Sequence, residues 1–259
     1  MNSMQPIVSR FSRLFVLPVV AATLLMAACS PNVVVVSPTQ APATPVPASG
    51  GASNASGNVS AAADSGQSPC LGVSDPTTNP PAGGSAKQWS APDNVVDATH
   101  TYCAIIKTEK GRIVAELFPQ AAPKNTNSFV FLAQQGFYDG LTFHRVIDQF
   151  MAQTGDPTGT GGGGPGYNNL PLEVTPSLNY DREGRIGMAR TNDPNSAGSQ
   201  FFITTAAYTS LNQQYTIIGQ VVEGMTVVKQ ISLRDPNSAT TPGDKLVSVR
   251  IVDLGAKKQ

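Results

Sequence analysis

FHRVIDQFMAQTGD, from Phe143 to Asp156, holds one of only two histidines in the chain, with an arginine directly after it. Both stand among aromatic and apolar residues of the kind usually found in interiors. The segment nevertheless carries a guanidinium, a thioether and a carboxamide, on Arg145, Met151 and Gln153. Starting two residues upstream, LTFHRVI reads as a strand, and FMAQT reads as the next.

The pattern continues outward from this pair. TYCAIIKTEKGRIVAELFP, on the N-terminal side, shows two apolar runs around Glu109-Lys110-Gly111 and predicts a β-hairpin. Pro123 opens KNTNSFVFLAQQ and Gly136 closes it, with Phe129, Leu132 and Ala133 at helical spacing, so a helix is expected there. On the C-terminal side, Gly155 to Tyr167 reads as a long flexible loop. Further strands are expected at Ile186–Ala189, Phe201–Thr204 and Thr216–Val222, a second helix at Met225–Leu233, and a closing strand in KLVSVRIVDL. Many short strands with two helices predict a mainly β fold, a closed barrel whose ends the helices cover. The folded part, residues 87–259, begins near Trp89 or Thr99.

Gly (24) and Pro (21) are unevenly spread, and that divides the chain. Arg10 and Arg13 precede an uncharged run from Phe15 to Ala28, too short to span a bilayer comfortably but suited to a signal peptide over residues 1–28. Small residues just before Cys29 resemble a bacterial lipobox, which predicts lipidation of Cys29 and a membrane-anchored, exported protein. Met26 stands where leucine is usual, so cleavage by the ordinary signal peptidase and an uncleaved anchor helix are the alternatives. Residues 29–86 are Pro, Ala, Ser, Gly and Thr with hardly a large apolar group besides Val33–Val36. Such a segment buries too little surface to fold. It reads as a disordered tether with a mean span of roughly 40 Å. Once Cys29 is used, Cys70 and Cys103 remain as an even pair in an oxidising location. A disulfide between them is expected, with two free thiols as the alternative.

Composition also excludes. Lys+Arg and Asp+Glu are equal at 17 each, so no nucleic-acid partner is expected. Thr158–Gly166 lacks the Gly-Lys-Ser/Thr ending of a phosphate loop. His100 and His144 have no Cys or acid partners at ligand spacing, and there is no nucleophile elbow, so neither metal nor cofactor is expected. Taken alone, Phe150, Met151 and Phe202 read as core, Arg145 as an ion-pair partner, and His144 as a structural group hydrogen-bonded at the barrel surface.

Three motifs change that reading for the arginine and its pocket, though not for His144. FHRVIDQFMAQTGD, GMARTNDPNSAGSQFFIT (Gly187–Thr204) and YTIIGQVVEGM (Tyr215–Met225) resemble, in order, the cyclophilin family of peptidyl-prolyl cis–trans isomerases. The resemblance covers about Thr101 to Leu254. It implies an eight-stranded barrel capped by two helices, with one face of the opening strand pair buried and the other forming a proline site. By the same resemblance Arg145 is the catalytic arginine. Gln153 and Gln200 orient it and the peptide, and Phe150, Met151 and Phe202 form the ring pocket. Ala189 and Arg190 lie along the substrate, Leu211 is at the rim, and Tyr215 stands where many members have histidine. Arg190 replaces a usual asparagine, and Ser210 a common tryptophan. Two functions follow: an isomerase acting on exported or unfolded proline-containing polypeptides, or a non-catalytic scaffold or holdase that binds such segments. A monomer is expected.

Overall fold

Thr108 pairs directly with Gly111, so Glu109 and Lys110 form a two-residue turn that sets the register between β1 (His100–Thr108) and β2 (Gly111–Leu117). The computed structural model describes residues 67–76 and 88–256, and this hairpin supplies its first two strands. Tyr102, Ala104 and Ile106 on β1, with Ile113, Ala115 and Leu117 on β2, enter the main core. Cys103 and Val114 point the other way and pack with Cys70 in a separate small cluster. Burial on both faces explains why this strand lacks a polar alternation.

The outer cover comes from residues 67–76, which composition assigns to the tether. Cys70 is disulfide-bonded to Cys103, with Cα atoms 5.6 Å apart. Asp75 pairs with Lys107 and Arg112, Arg112 also donates to the Val73 carbonyl, and Ser68 donates to Glu116 at 2.8 Å. That piece is docked on the sheet. The predicted signal peptide, Cys29 and Val33–Val36 lie outside the described residues.

Seven more strands complete the sheet: β3 (Leu141–Thr142), β4 (Arg145–Ile147), β5 (Met151–Thr154), β6 (Arg185–Met188), β7 (Phe201–Thr204), β8 (Ile217–Glu223) and β9 (Lys245–Ala256). Their order is β3-β9-β1-β2-β8-β6-β7-β5-β4, with neighbouring strands antiparallel throughout. The fold is mainly β, a strongly curled antiparallel sheet with few helices. Nine strands replace the expected eight because LTFHRVI is not one strand. β3 pairs with β9, Phe143 then donates to the Asp244 carbonyl at 2.9 Å, and β4 pairs with β5. The edge strands β3 and β4 are therefore consecutive in the chain. Phe143 and His144 alone join them, so Thr142 and Arg145 can stand no more than about 11 Å apart. Those two residues force the sheet to curl.

Helix α1 (Pro123–Gln134) buries Phe129, Val130, Leu132 and Ala133 in the same core. Its first N–H groups have no partner within the helix. Glu173, some fifty positions on, accepts from Lys124 (3.1 Å) and Asn125 (2.9 Å) instead. Helix α2 (Met225–Gln230) is shorter than expected. Ile231 turns extended to bury its side chain, and Ser232 donates to the Asp244 carboxylate at 2.7 Å.

Candidate active site

The two-residue period of the strands creates two surfaces. Ala152 on β5 and Phe201 and Ile203 on β7 enter the main core. Met151 and Phe202, one position away, enter a second apolar cluster with Tyr180, Leu211 and Ile217, against which Phe150, Ala189 and Tyr215 pack. Registers place Arg145 opposite Gln153, Gln153 opposite Phe202, and Phe202 opposite Gly187. Four neighbouring strands thus carry one row of residues on one face. Gly187 is required there: a Cβ would lie 2.4 Å from the Phe202 ring and 2.2 Å from the Tyr180 hydroxyl. The Phe202 ring rests on bare backbone as the floor of an apolar patch. Among the described residues, no group of three His, Cys, Asp or Glu is placed to hold a metal ion.

Beside that floor runs a relay of directed hydrogen bonds. Gln200 donates from Nε2 to the carbonyls of Gly161 (2.9 Å) and Gly163 (3.0 Å). Its Oε1 then accepts from Gln153 Nε2 at 2.9 Å, which leaves Gln153 Oε1 to accept from Arg145 Nη1 at 3.4 Å. Flipping either carboxamide would set donor against donor or acceptor against acceptor. Arg145 forms no ion pair among the described residues, and burial pulls its guanidinium below its usual pKa, with Tyr215 and Asp235 opposing the shift. It remains charged at neutral pH. An open groove of about 430 Å³ leads from Arg145 past Ile147 and Leu233.

The relay ends in the glycine-rich loop, which is organised rather than loose. Asp156 is 1% exposed, and its carboxylate accepts from Thr158 N (2.7 Å), Thr158 Oγ1 (2.8 Å), Thr160 N (3.0 Å) and Gly161 N. Burial alone would push this carboxyl up, but hydrogen bonds from Thr158, Gly163 and Gly161 outweigh it and hold the pKa low. The loop wraps so closely that a Cβ on Gly163 would lie 2.1 Å from the Asp156 carboxylate. His144 corrects the sequence reading. It is 1% exposed rather than at the surface, and neither ring nitrogen has a hydrogen-bond partner among the described residues. Burial lowers its pKa, with Asp156 and Gln200 opposing the shift, so it is neutral at pH 7.

The other residues expected at the site assemble at the rim. Leu211 closes a 3₁₀ turn, Thr209–Leu211, that also holds Ser210, whose carbonyl accepts from Gln214 at 3.0 Å. Arg190 lies over the Tyr215 ring, 4.5 Å from its centroid, and the Tyr215 edge meets Phe202 at 5.9 Å. Ala189 donates its N–H to the carbonyl of Gln200, the residue just before β7, at 2.9 Å. Sequence reasoning missed Tyr208, whose ring packs on Phe150 at 4.4 Å, and Tyr180 beneath the floor. Both lie in polar, loop-like stretches where periodicity gives no signal. Asp156 was in view, at the end of the opening segment, but its role depends on loop geometry.

A family model for cyclophilin type peptidyl-prolyl cis-trans isomerases matches residues 103–255. Peptidyl-prolyl cis-trans isomerase-like 1 of Aspergillus fumigatus is 40% identical over 155 residues, covering 58% of this chain and 96% of that protein. A crystal structure of a cyclophilin type isomerase from Cryptosporidium parvum superposes with a TM-score of 0.54 at 32% identity, covering 59% of this chain and 98% of that one. A second crystal structure of that protein, in the presence of the dipeptide Ala-Pro, gives 0.53 at 32% identity, covering 58% and 98%. The chain belongs to the cyclophilin type peptidyl-prolyl cis-trans isomerases.

Because Asp156 is linked to the arginine through the loop, Gln200 and Gln153, its loss is expected to disturb the arginine's aim more than the apolar floor. Asp156→Ala should lower kcat about tenfold, the value of one charged hydrogen bond, with KM changed less than about twofold. Asp156→Asn, which keeps an acceptor for Thr158, should fall between. Steady-state isomerisation kinetics on folded variants decide. An unchanged kcat, or a loss carried by KM alone, would contradict the relay.

Proposed function

We propose that this chain accelerates cis–trans exchange at X–Pro bonds in exported or unfolded polypeptides, as a lipid-anchored protein outside the cytoplasm. Rotation about an amide costs about 18–20 kcal/mol because resonance must be broken. At the twisted midpoint the proline nitrogen is pyramidal and basic. A guanidinium held beside a ring-sized apolar floor bonds that nitrogen better than it bonds either planar state, which is selective stabilisation of the transition state. One charged hydrogen bond contributes about 1.5–3 kcal/mol, whereas a 10⁵-fold acceleration needs about 7. The rest falls to desolvating the less polar twisted amide and holding the peptide in place.

The single observation that carries the catalytic part is Arg145 itself, half-buried, free of any ion pair among the described residues, and held by Gln153 next to Phe202. A structural arginine would be expected to pair with a carboxylate. A scaffold that only binds proline segments needs the floor but has no use for a cation aimed at the amide nitrogen. The Ala-Pro dipeptide present in the related crystal structure supports proline as the recognised element.

Export rests on separate observations. Arg10, Arg13 and the uncharged run before Cys29 have the form of a lipoprotein signal. A disulfide between buried Cys70 and Cys103 suits an oxidising compartment. Two or three acyl chains at Cys29 would hold the protein stably, since one is marginal.

Two measurements test this reading. Arg145→Ala should lower kcat/KM about tenfold to a hundredfold, with peptide affinity by titration little changed. Equal turnover by parent and variant would make the arginine structural and favour the scaffold. Mass spectrometry of the mature N-terminus should find acylated Cys29. An unmodified residue downstream of it would refute the anchor.

A further inference from the structure

Two rim positions depart from the residues usual in the family, and they touch each other. The Arg190 guanidinium lies over the Tyr215 ring, a cation–π contact that holds the charge at the rim. Nε donates to the Gln214 carbonyl at 2.9 Å and Nη1 to the Thr191 carbonyl at 2.8 Å. Neither partner is anionic, and no hydrogen bond engages Nη2 among the described residues. Asp193, three residues on, uses its carboxylate within its own turn, accepting from Asn195 N at 2.8 Å. The main-chain N–H and C=O of Arg190 are also unpaired among the described residues, leaving an edge along which an extended chain can bond.

Placement matters as much as charge. Tyr215 meets Arg190 at 4.5 Å and Phe202 at 5.9 Å, so the guanidinium stands within about three extended residues of the proline floor. Arg145 stands beyond Phe202 in the cross-strand row, through Gln153. A client seated on Phe202 therefore meets one cation that acts on its amide and a second that faces its neighbouring side chains.

We propose that Arg190, braced on Tyr215, selects clients with an acidic side chain within three residues of the proline. This deepens the isomerase reading and rests on it. The test uses peptides in which a single Glu is moved through the three positions on either side of proline, each compared with its Gln counterpart. At one position the parent should favour Glu over Gln by about two- to fivefold in kcat/KM, mainly through KM, as for a partly screened ion pair. The ratio should shrink as salt rises. Arg190→Gln should bring it to about one, read as a ratio within the variant, while Arg190→Lys keeps most of it. No preference at any position, or one that persists in Arg190→Gln, would overturn the proposal. If the parent turned over none of the peptides, the isomerase reading would fail instead. The same Glu-to-Gln ratios in affinity, read by titration, would then still decide whether Arg190 selects acidic segments.

Discussion

Two backbone carbonyls set the polarity of the whole site. Gly161 and Gly163 offer only acceptors, so Gln200 must turn its amide nitrogen toward them. Its oxygen is then committed to the Gln153 nitrogen, and the Gln153 oxygen to Arg145. Each carboxamide has one usable orientation, which is how a flexible guanidinium comes to have a preferred direction. Asp156 stands behind the carbonyls, gathering the N–H groups of the loop around one carboxylate. Such a network gains rigidity from being fully satisfied, and a single unpaired member would weaken it.

The curled sheet and the site share one short link. Phe143 and His144 join the sheet's two edge strands, and Arg145 is the first residue after them. The curl of the sheet and the placement of the arginine are therefore fixed together. Phe143 anchors the link in the core and His144 is buried beside it, which leaves a neutral imidazole next to the Arg145 guanidinium. The Phe202 floor has the same economy, since one alternation on β7 supplies the core with Phe201 and Ile203 and the site with Phe202.

Much of this was legible in the sequence where the signal is local. The hairpin at Glu109–Lys110 and the helix from Pro123 follow from turn chemistry and spacing. The motifs around Arg145, Gln200 and Tyr215 name residues that the fold brings onto one face. What was not legible depends on distant contact. Glu173 serves the N-terminus of a helix far from it, and residues 67–76 look like tether until Cys70 meets Cys103. LTFHRVI reads as one strand because the break at Phe143–His144 comes from the curl of the sheet, which no local propensity encodes. The glycine-rich stretch reads as loose because composition does not reveal the carboxylate at its centre. Arg190 and Tyr215 look like two separate departures until the ring lies under the guanidinium.

The central claim is that Arg145 acts through the geometry of its fork, held by Gln153, and not merely through its charge. Arg145→Lys keeps the charge and removes the fork. The direct measurement is the cis–trans exchange rate of an Ala-Pro peptide on this variant and on the parent, by line-shape NMR at matched saturation. The account predicts a fall of about tenfold or more, from loss of one charged hydrogen bond, with peptide affinity within about twofold of the parent. Exchange at the parent rate in Arg145→Lys would contradict it.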